Sequence, residues 1–294
     1  MAESSEHRPR ALASLGRRLL SAAVLVVLVV WVAMRGGWLF AGGTGLWALC
    51  LLHEYQQMAR DRGQRRHFAT LLPMVLALFA LAKLSGPGAV FGAFTILSLG
   101  LLAFEALRGR IAGASAHVAE KVLALFYLGL LPAYWILLRE LPRQMALPAD
   151  LYPAGGRLFL YAAAVTWLSD TFAYFLGSLF GRHSLGTAVS PRKSIEGAAA
   201  AVLGGVLTAW LLAPYWASFL SPGEALALGL ALSVAGLLGD LFESLLKRDA
   251  AVKDTGRLIP GHGGFLDRVD SLLFTIPVLY AFMVFYKSRG GTIF

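Results

Sequence analysis

Cysteine is almost missing from this sequence. Cys50 is the only one and lies in an apolar run, so an intramolecular disulfide and a thiolate metal cluster are both excluded. Histidine is nearly as scarce, six in 294 residues, and His262 stands alone between glycines, which leaves no imidazole set for zinc. Neither GxxxxGK[ST] nor GxGxxG occurs, which argues against a P-loop or dinucleotide-binding protein. There is no internal repeat, long linker or low-complexity block, so one membrane domain is the simplest organisation. Charge is thin as well: 15% of residues are Asp, Glu, Lys or Arg, against about a quarter in a soluble domain. What charge there is leans positive, net +9, but the cations lie in short loops between apolar runs rather than on one face. That distribution suits anionic lipid head groups and not nucleic acid.

What the chain has in abundance is apolar sequence, with 57% hydrophobic residues and a mean hydropathy of +0.67. It reads as an all-α, polytopic integral membrane protein of about nine transmembrane helices, each needing about 20 apolar residues. The windows are 18–35, 37–54, 67–84, 87–107, 117–138, 157–179, 195–220, 223–246 and 271–287. Lys and Arg concentrate on the cytoplasmic side of membrane proteins. With the N-terminus cytoplasmic, nineteen of the 26 fall in inner segments, and the outer side keeps Arg35, Lys83, Arg139, Arg143, Arg157, Lys287 and Arg289. This puts the loop after the eighth span inside, and the protein is expected in the cytoplasmic (inner) membrane of a bacterium. Residues 1–16 read as a disordered cytoplasmic tail, and the apolar run after Arg17-Arg18 as a retained span rather than a signal peptide, being long and lacking a small-x-small cleavage site.

Composition changes along the chain. Residues 17–154 read as scaffold helices with few interior ionisable groups; residues 155–294 carry Asp170, Glu196, Asp240, Glu243 and a charged loop over 247–270, and read as the catalytic region. An Asp near a helix centre in the membrane costs about 2.5–3.5 kcal/mol even on lenient scales, so Asp170 is expected to face the bundle interior or a polar cavity.

Between Ser244 and Ser271 lie Lys247, Arg248, Asp249, Lys253, Asp254, Arg257, His262, Asp267, Arg268 and Asp270, with Pro260, Gly261, Gly263 and Gly264 among them. Positive-inside bias explains the cations but neither four aspartates nor a double glycine turn. Residues 240, 243, 244 and 247 share one helical face, and Asp267 and Asp270, three apart at the opening of the last helix, share another. Two carboxylates about 4 Å apart repel by roughly 4 kcal/mol at an effective dielectric of 20, so a cation must hold them together. Mg²⁺, a hard ion taking carboxylate, water and phosphate oxygens, is the natural one. Upstream, Ser190-Pro191 turns the chain, Arg192-Lys193 offers a positive pair, and Ser194 with Glu196 can cap a helix N-terminus.

These blocks resemble the CDP-diacylglycerol synthase (phosphatidate cytidylyltransferase) family. The signature is Ser244, Lys247-Arg248, Lys253-Asp254, His262-Gly263-Gly264 and Asp267-Arg268-Val269-Asp270; a second block runs Asp170-Thr171-Phe172-Ala173-Tyr174, Gly177, Phe180-Gly181-Arg182-His183 and Ser190 to Gly197. The resemblance implies attack of phosphatidic acid on the α-phosphorus of CTP, giving CDP-diacylglycerol and pyrophosphate, and a homodimer. On that basis Asp240 and Asp267 are expected as principal Mg²⁺ ligands, with Asp254 and Asp270 as further ligands for that ion or a second cation. Lys193, Lys247, Arg248, Lys253 and Arg268 are expected on phosphates, and Ser190, Ser194, His262 and Asp170 in the substrate site; Asp249 and Arg257 read as solvated charges. Two other functions fit parts of the pattern. One is a related CTP-dependent transferase or kinase with another lipid acceptor, the other a transporter using Asp170 and Asp240.

Overall fold

In hydrocarbon a backbone can satisfy its own N–H and C=O groups only as a helix or in a closed barrel, and here every long apolar run becomes a helix. The structure, a computed structural model, describes residues 23–61, 68–109, 111–186, 189–191, 193–256 and 263–291. Within them α1 spans Ala23–Arg35, α2 Gly37–Asp61, α3 Phe68–Leu84 and α4 Pro87–Arg108. Then α5 spans Ala114–Arg139, α6 Pro153–Phe180, α7 Ile195–Trp216, α8 Pro222–Asp249 and α9 Asp270–Ser288. Six of these, α4 to α9, are long and apolar enough to cross a membrane, while α1 and α3 are apolar but shorter. The described residues contain no strand, only an isolated antiparallel bridge between Ser184 and Ser194.

Local sequence sets the helix boundaries. α8 starts at a capping box: the Ser221 hydroxyl accepts from the Glu224 N–H (3.3 Å), the Glu224 carboxylate accepts from the Ser221 N–H (2.8 Å), and Pro222 follows at the first position. α7 starts at Ser194, whose hydroxyl accepts from the Gly197 N–H at 3.0 Å, the cap expected from the sequence. Within α5, residues Leu125–Leu130 wind as a π-turn just ahead of Pro132. Proline has no N–H to give and crowds the carbonyl four residues back, and the wider turn absorbs both effects.

The last four helices pack in chain order, α6 along α7, α7 along α8 and α8 along α9, with α5 central to the whole and α4 peripheral. Polar groups are spent between helices: Tyr161 donates to the Ala209 carbonyl (3.0 Å), Ser169 to the Ala201 carbonyl (2.8 Å), and Thr166 bonds Thr275 (3.2 Å). At Gly239 the backbones of α8 and α9 meet; a Cβ there would lie 2.6 Å from the Asp270 carbonyl oxygen. That contact sets the neighbouring Asp240 beside the start of α9.

The scarcity of interior ionisable groups expected before residue 155 is not what the structure shows. Glu54, Lys83, Glu105, Lys121, Arg139 and Glu140 are all buried there. They lie toward the ends of apolar runs, where a sequence window cannot tell a side chain at the interface from one covered by a neighbouring helix.

Candidate active site

Asp240 and Glu243, one turn apart, put two carboxylates on the inner face of α8, and Lys247 one turn further on pairs with Glu243 at 2.5 Å. Asp270, the first residue of α9, joins them: Asp240, Glu243 and Asp270 each offer an oxygen within 4.8 Å of the others. Glu243 is 1% exposed, and its Oε1 has no hydrogen-bond partner. Asp240 is paired with Lys193, which arrives from the loop before α7.

These groups line a cavity of about 630 Å³ with Asp170, Lys253, Asp254, Gly263, Asp267, Arg268 and Ser271. Eight residues singled out from the sequence therefore converge: Asp170, Asp240, Lys247, Lys253, Asp254, Asp267, Arg268 and Asp270. Asp170, 18 residues into α6, faces this cavity, as its cost in a membrane requires. Glu243, noticed in the sequence only as part of the α8 face, belongs to the innermost carboxylate group. Its place one turn after Asp240 was the signal available.

Asp267 is set differently. It lies in the 3-10 turn Leu266–Arg268 ahead of α9, with Oδ1 accepting from Lys247 (2.8 Å). Oδ2 accepts from the Thr255 N–H (3.1 Å), the Thr255 hydroxyl (3.0 Å) and the Gly264 N–H (2.9 Å). Burial alone would raise this carboxyl; its hydrogen bond with Lys247, the Lys247 charge and the Gly264 amide outweigh burial and hold it down at about 2. It is therefore ionised at any physiological pH, and its donors fix the signature loop to the end of α8.

Lys193 reaches the site through a tied loop. The Leu185 N–H donates to the Lys193 carbonyl (2.8 Å), the Lys193 N–H to the Ser190 carbonyl (3.1 Å) and the Ile195 N–H to the His183 carbonyl (2.9 Å). Glu196 accepts from the Arg182 and His183 amides (3.1 and 3.3 Å) and the His183 ring (2.6 Å), closing the same loop. Arg248 is exposed and donates to the Val189 carbonyl at 3.3 Å. Arg248, Ser190 and Ser194 thus build the wall that delivers Lys193, and none of the three lines the cavity. His262, with Arg192 and Arg257, lies outside the described residues.

Chemically, the cavity offers a cluster of hard oxygen donors that could hold a metal ion, ringed by Lys247, Lys253, Arg268 and Lys193. Such a set suits polyanions gathered around a divalent cation and, among the described residues, lacks the imidazoles and thiolates of a zinc centre.

Residues 16–286 match the model of the cytidylyltransferase family. The chain is similar to a phosphatidate cytidylyltransferase of Synechocystis sp., 37% identical over 289 residues covering 91% of this chain and 96% of that one. It is also similar to the chloroplastic phosphatidate cytidylyltransferase 4 of Arabidopsis thaliana, 31% identical over 96% of this chain and 76% of the relative. A phosphatidate cytidylyltransferase of Bacillus subtilis is 42% identical over 56% of this chain and 58% of its own length.

Proposed function

This chain belongs to the cytidylyltransferase family, and we propose that it joins CTP to phosphatidic acid, releasing pyrophosphate and CDP-diacylglycerol for phospholipid synthesis. An oxygen of the lipid phosphate attacks the α-phosphorus of CTP; the bond from that phosphorus to the bridging oxygen breaks, and pyrophosphate leaves with the electron pair. The nucleophile is already ionised, so no strong general base is needed. The burden is to hold two polyanions together.

One observation carries this reading: three carboxylates from α8 and α9 converge inside a cation-ringed cavity, with Glu243 Oε1 buried and unpartnered. The donor set fits Mg²⁺, and Asp240, Glu243 and Asp270 are the residues we assign to it, with Asp254 and Asp267 for a second cation. Bound there, the metal would supply charge neutralisation at the phosphates. Lys247, Lys253 and Arg268 contact phosphates within the cavity, and Lys193 balances Asp240 and meets the triphosphate from the α7 side. Asp170 lines the cavity from α6 and bounds the substrate site on that side.

The nine-span arrangement, with the site on the cytoplasmic side of a bacterial inner membrane, is supported by the charge partition. Lys83 and Arg139, assigned outward, lie beside Tyr152 at the start of α6, while Asp170 lies about 27 Å further along the same helix. A homodimer stays a proposal from the family alone.

Pyrophosphate release from CTP by the purified protein in detergent micelles tests the reaction. Release that requires both phosphatidic acid and Mg²⁺ is expected. Equal release with an ether-linked lipid phosphate in place of phosphatidic acid moves the assignment to another lipid acceptor, release of CDP with a polyprenol moves it to a kinase, and transport without CTP turnover in proteoliposomes overturns it.

A further inference from the structure

Glu54 sits on α2, far from the signature in sequence, and its carboxylate is fully buried (0% exposed). It accepts three hydrogen bonds, all from the signature loop: the Thr255 hydroxyl (3.0 Å) and Leu266 N–H (2.9 Å) on Oε2, and the Phe265 N–H (2.8 Å) on Oε1. The loop is shaped to admit it. A Cβ on Gly256 would lie 2.6 Å from Glu54 Oε1, and one on Gly264 2.7 Å from Glu54 Oε2, so only glycine lets both arms close on the carboxylate. Two turns earlier on α2, Trp47 packs edge-on against Phe265, ring centroids 5.4 Å apart.

Thr255 is the link onward. Its hydroxyl oxygen lies 3.0 Å from both Glu54 Oε2 and Asp267 Oδ2 and shares its one proton between them, and its N–H donates to Asp267. Asp267 in turn holds Lys247, and the turn containing Leu266 leads directly into Asp270. One carboxylate thus gathers the incoming and outgoing arms of the loop at the point where they set three site residues.

We infer that Glu54 is a positioning residue for the transfer reaction: it clamps residues 255–256 to residues 264–266 and so fixes Asp267, Lys247 and Asp270, without itself touching substrate. It lines no part of the cavity. The catalytic meaning of the inference rests on the proposed cytidylyl transfer; the clamp does not.

The test measures kinetics and backbone hydrogen exchange on full-length protein in micelles, for wild type, Glu54→Ala, Glu54→Gln and Thr255→Val. Supporting partners of active-site ligands typically account for about 10–100-fold in activity. Glu54→Ala is expected to lower kcat by about that factor, with the KM for CTP changed less than threefold, and Glu54→Gln, which keeps one carbonyl acceptor, to fall between it and wild type. The peptide containing Phe265 and Leu266 exchanges at least tenfold faster in Glu54→Ala, with the helices unchanged. Thr255→Val, a milder change should Glu54→Ala fold poorly, lowers kcat about tenfold by removing the hydroxyl between Glu54 and Asp267. A kcat within twofold of wild type in Glu54→Ala and Thr255→Val overturns the inference, as does an activity loss matched by loss of folded protein with unchanged exchange at Phe265 and Leu266. Faster exchange in a wild-type background that turns over no CTP sinks the proposed reaction and leaves the clamp standing.

Discussion

At the Tyr152 end of α6, each buried charged side chain has its own polar partners. Lys83 pairs with Glu140 at 2.7 Å, and the Tyr152 hydroxyl donates to the same Glu140 oxygen at 2.7 Å while accepting from the Gly37 N–H at 2.8 Å. Arg139 donates to the carbonyls of Ala33 (2.6 Å), Tyr152 (3.0 Å) and Met34 (3.1 Å). One carboxylate there takes Lys83 and the phenol, backbone carbonyls take Arg139, and Glu140 Oε2 is left over. At the Asp170 end the ratio reverses: six carboxylates line one cavity against Lys247, Lys253 and Arg268, with Lys193 reaching in beside Asp240. Both ends gather charge, but only the second keeps negative charge in surplus, and surplus is what a metal and its phosphates consume. Matched charge fastens α1, α3, α5 and α6 together; unmatched charge marks where something must bind.

The comparison can be broken from either side. Removing surplus charge should cost activity and not stability: Asp240→Asn or Asp270→Asn is expected to lower kcat/KM on the order of 10³-fold, with a melting temperature in detergent equal to wild type or higher. A fall in melting temperature with activity retained would place these aspartates among the structural pairs instead. Removing matched charge should do the opposite. Lys83→Met leaves Glu140 buried without its cation and is expected to destabilise by about 3 kcal/mol, read as a lower melting temperature, with kcat per folded molecule unchanged. Ser194→Ala removes the cap of α7 at a cost of about 1 kcal/mol, read in the same melting curves, and the Lys193 loop it anchors should loosen with it. Smallest of all is Asp249→Asn, at an exposed position outside the cavity. It should stay within about 0.5 kcal/mol and twofold in activity.

Much of the second region was legible in the sequence. Asp240 and Asp270 stand out because an acidic residue beside an apolar run is costly, and the double glycine turn shows that the chain returns on itself. What spacing could not give was the division of labour among the carboxylates. Asp267, expected as a principal metal ligand, has Oδ2 taken up by three protein donors, and Glu243 stands in the innermost group with Asp240 and Asp270. Those are facts about how the loop folds back, and they depend on backbone amides that every sequence possesses. Glu54 was invisible for a related reason: its partners are some 200 residues away, and at the end of a window an acid looks like an interfacial charge. The Tyr152 end was hidden by the same ambiguity, since Lys83 and Arg139 read as charges on the outer side until neighbouring helices are seen to cover them.

Counting Mn²⁺ bound to the purified protein by electron paramagnetic resonance, in place of Mg²⁺ and without substrates, addresses the carboxylate cluster most directly. Wild type and Asp249→Asn should bind the ion alike, whereas Asp240→Asn, Glu243→Gln and Asp270→Asn should each weaken it at least tenfold. Undiminished Mn²⁺ binding in all three would contradict the assignment of that cluster as the metal site.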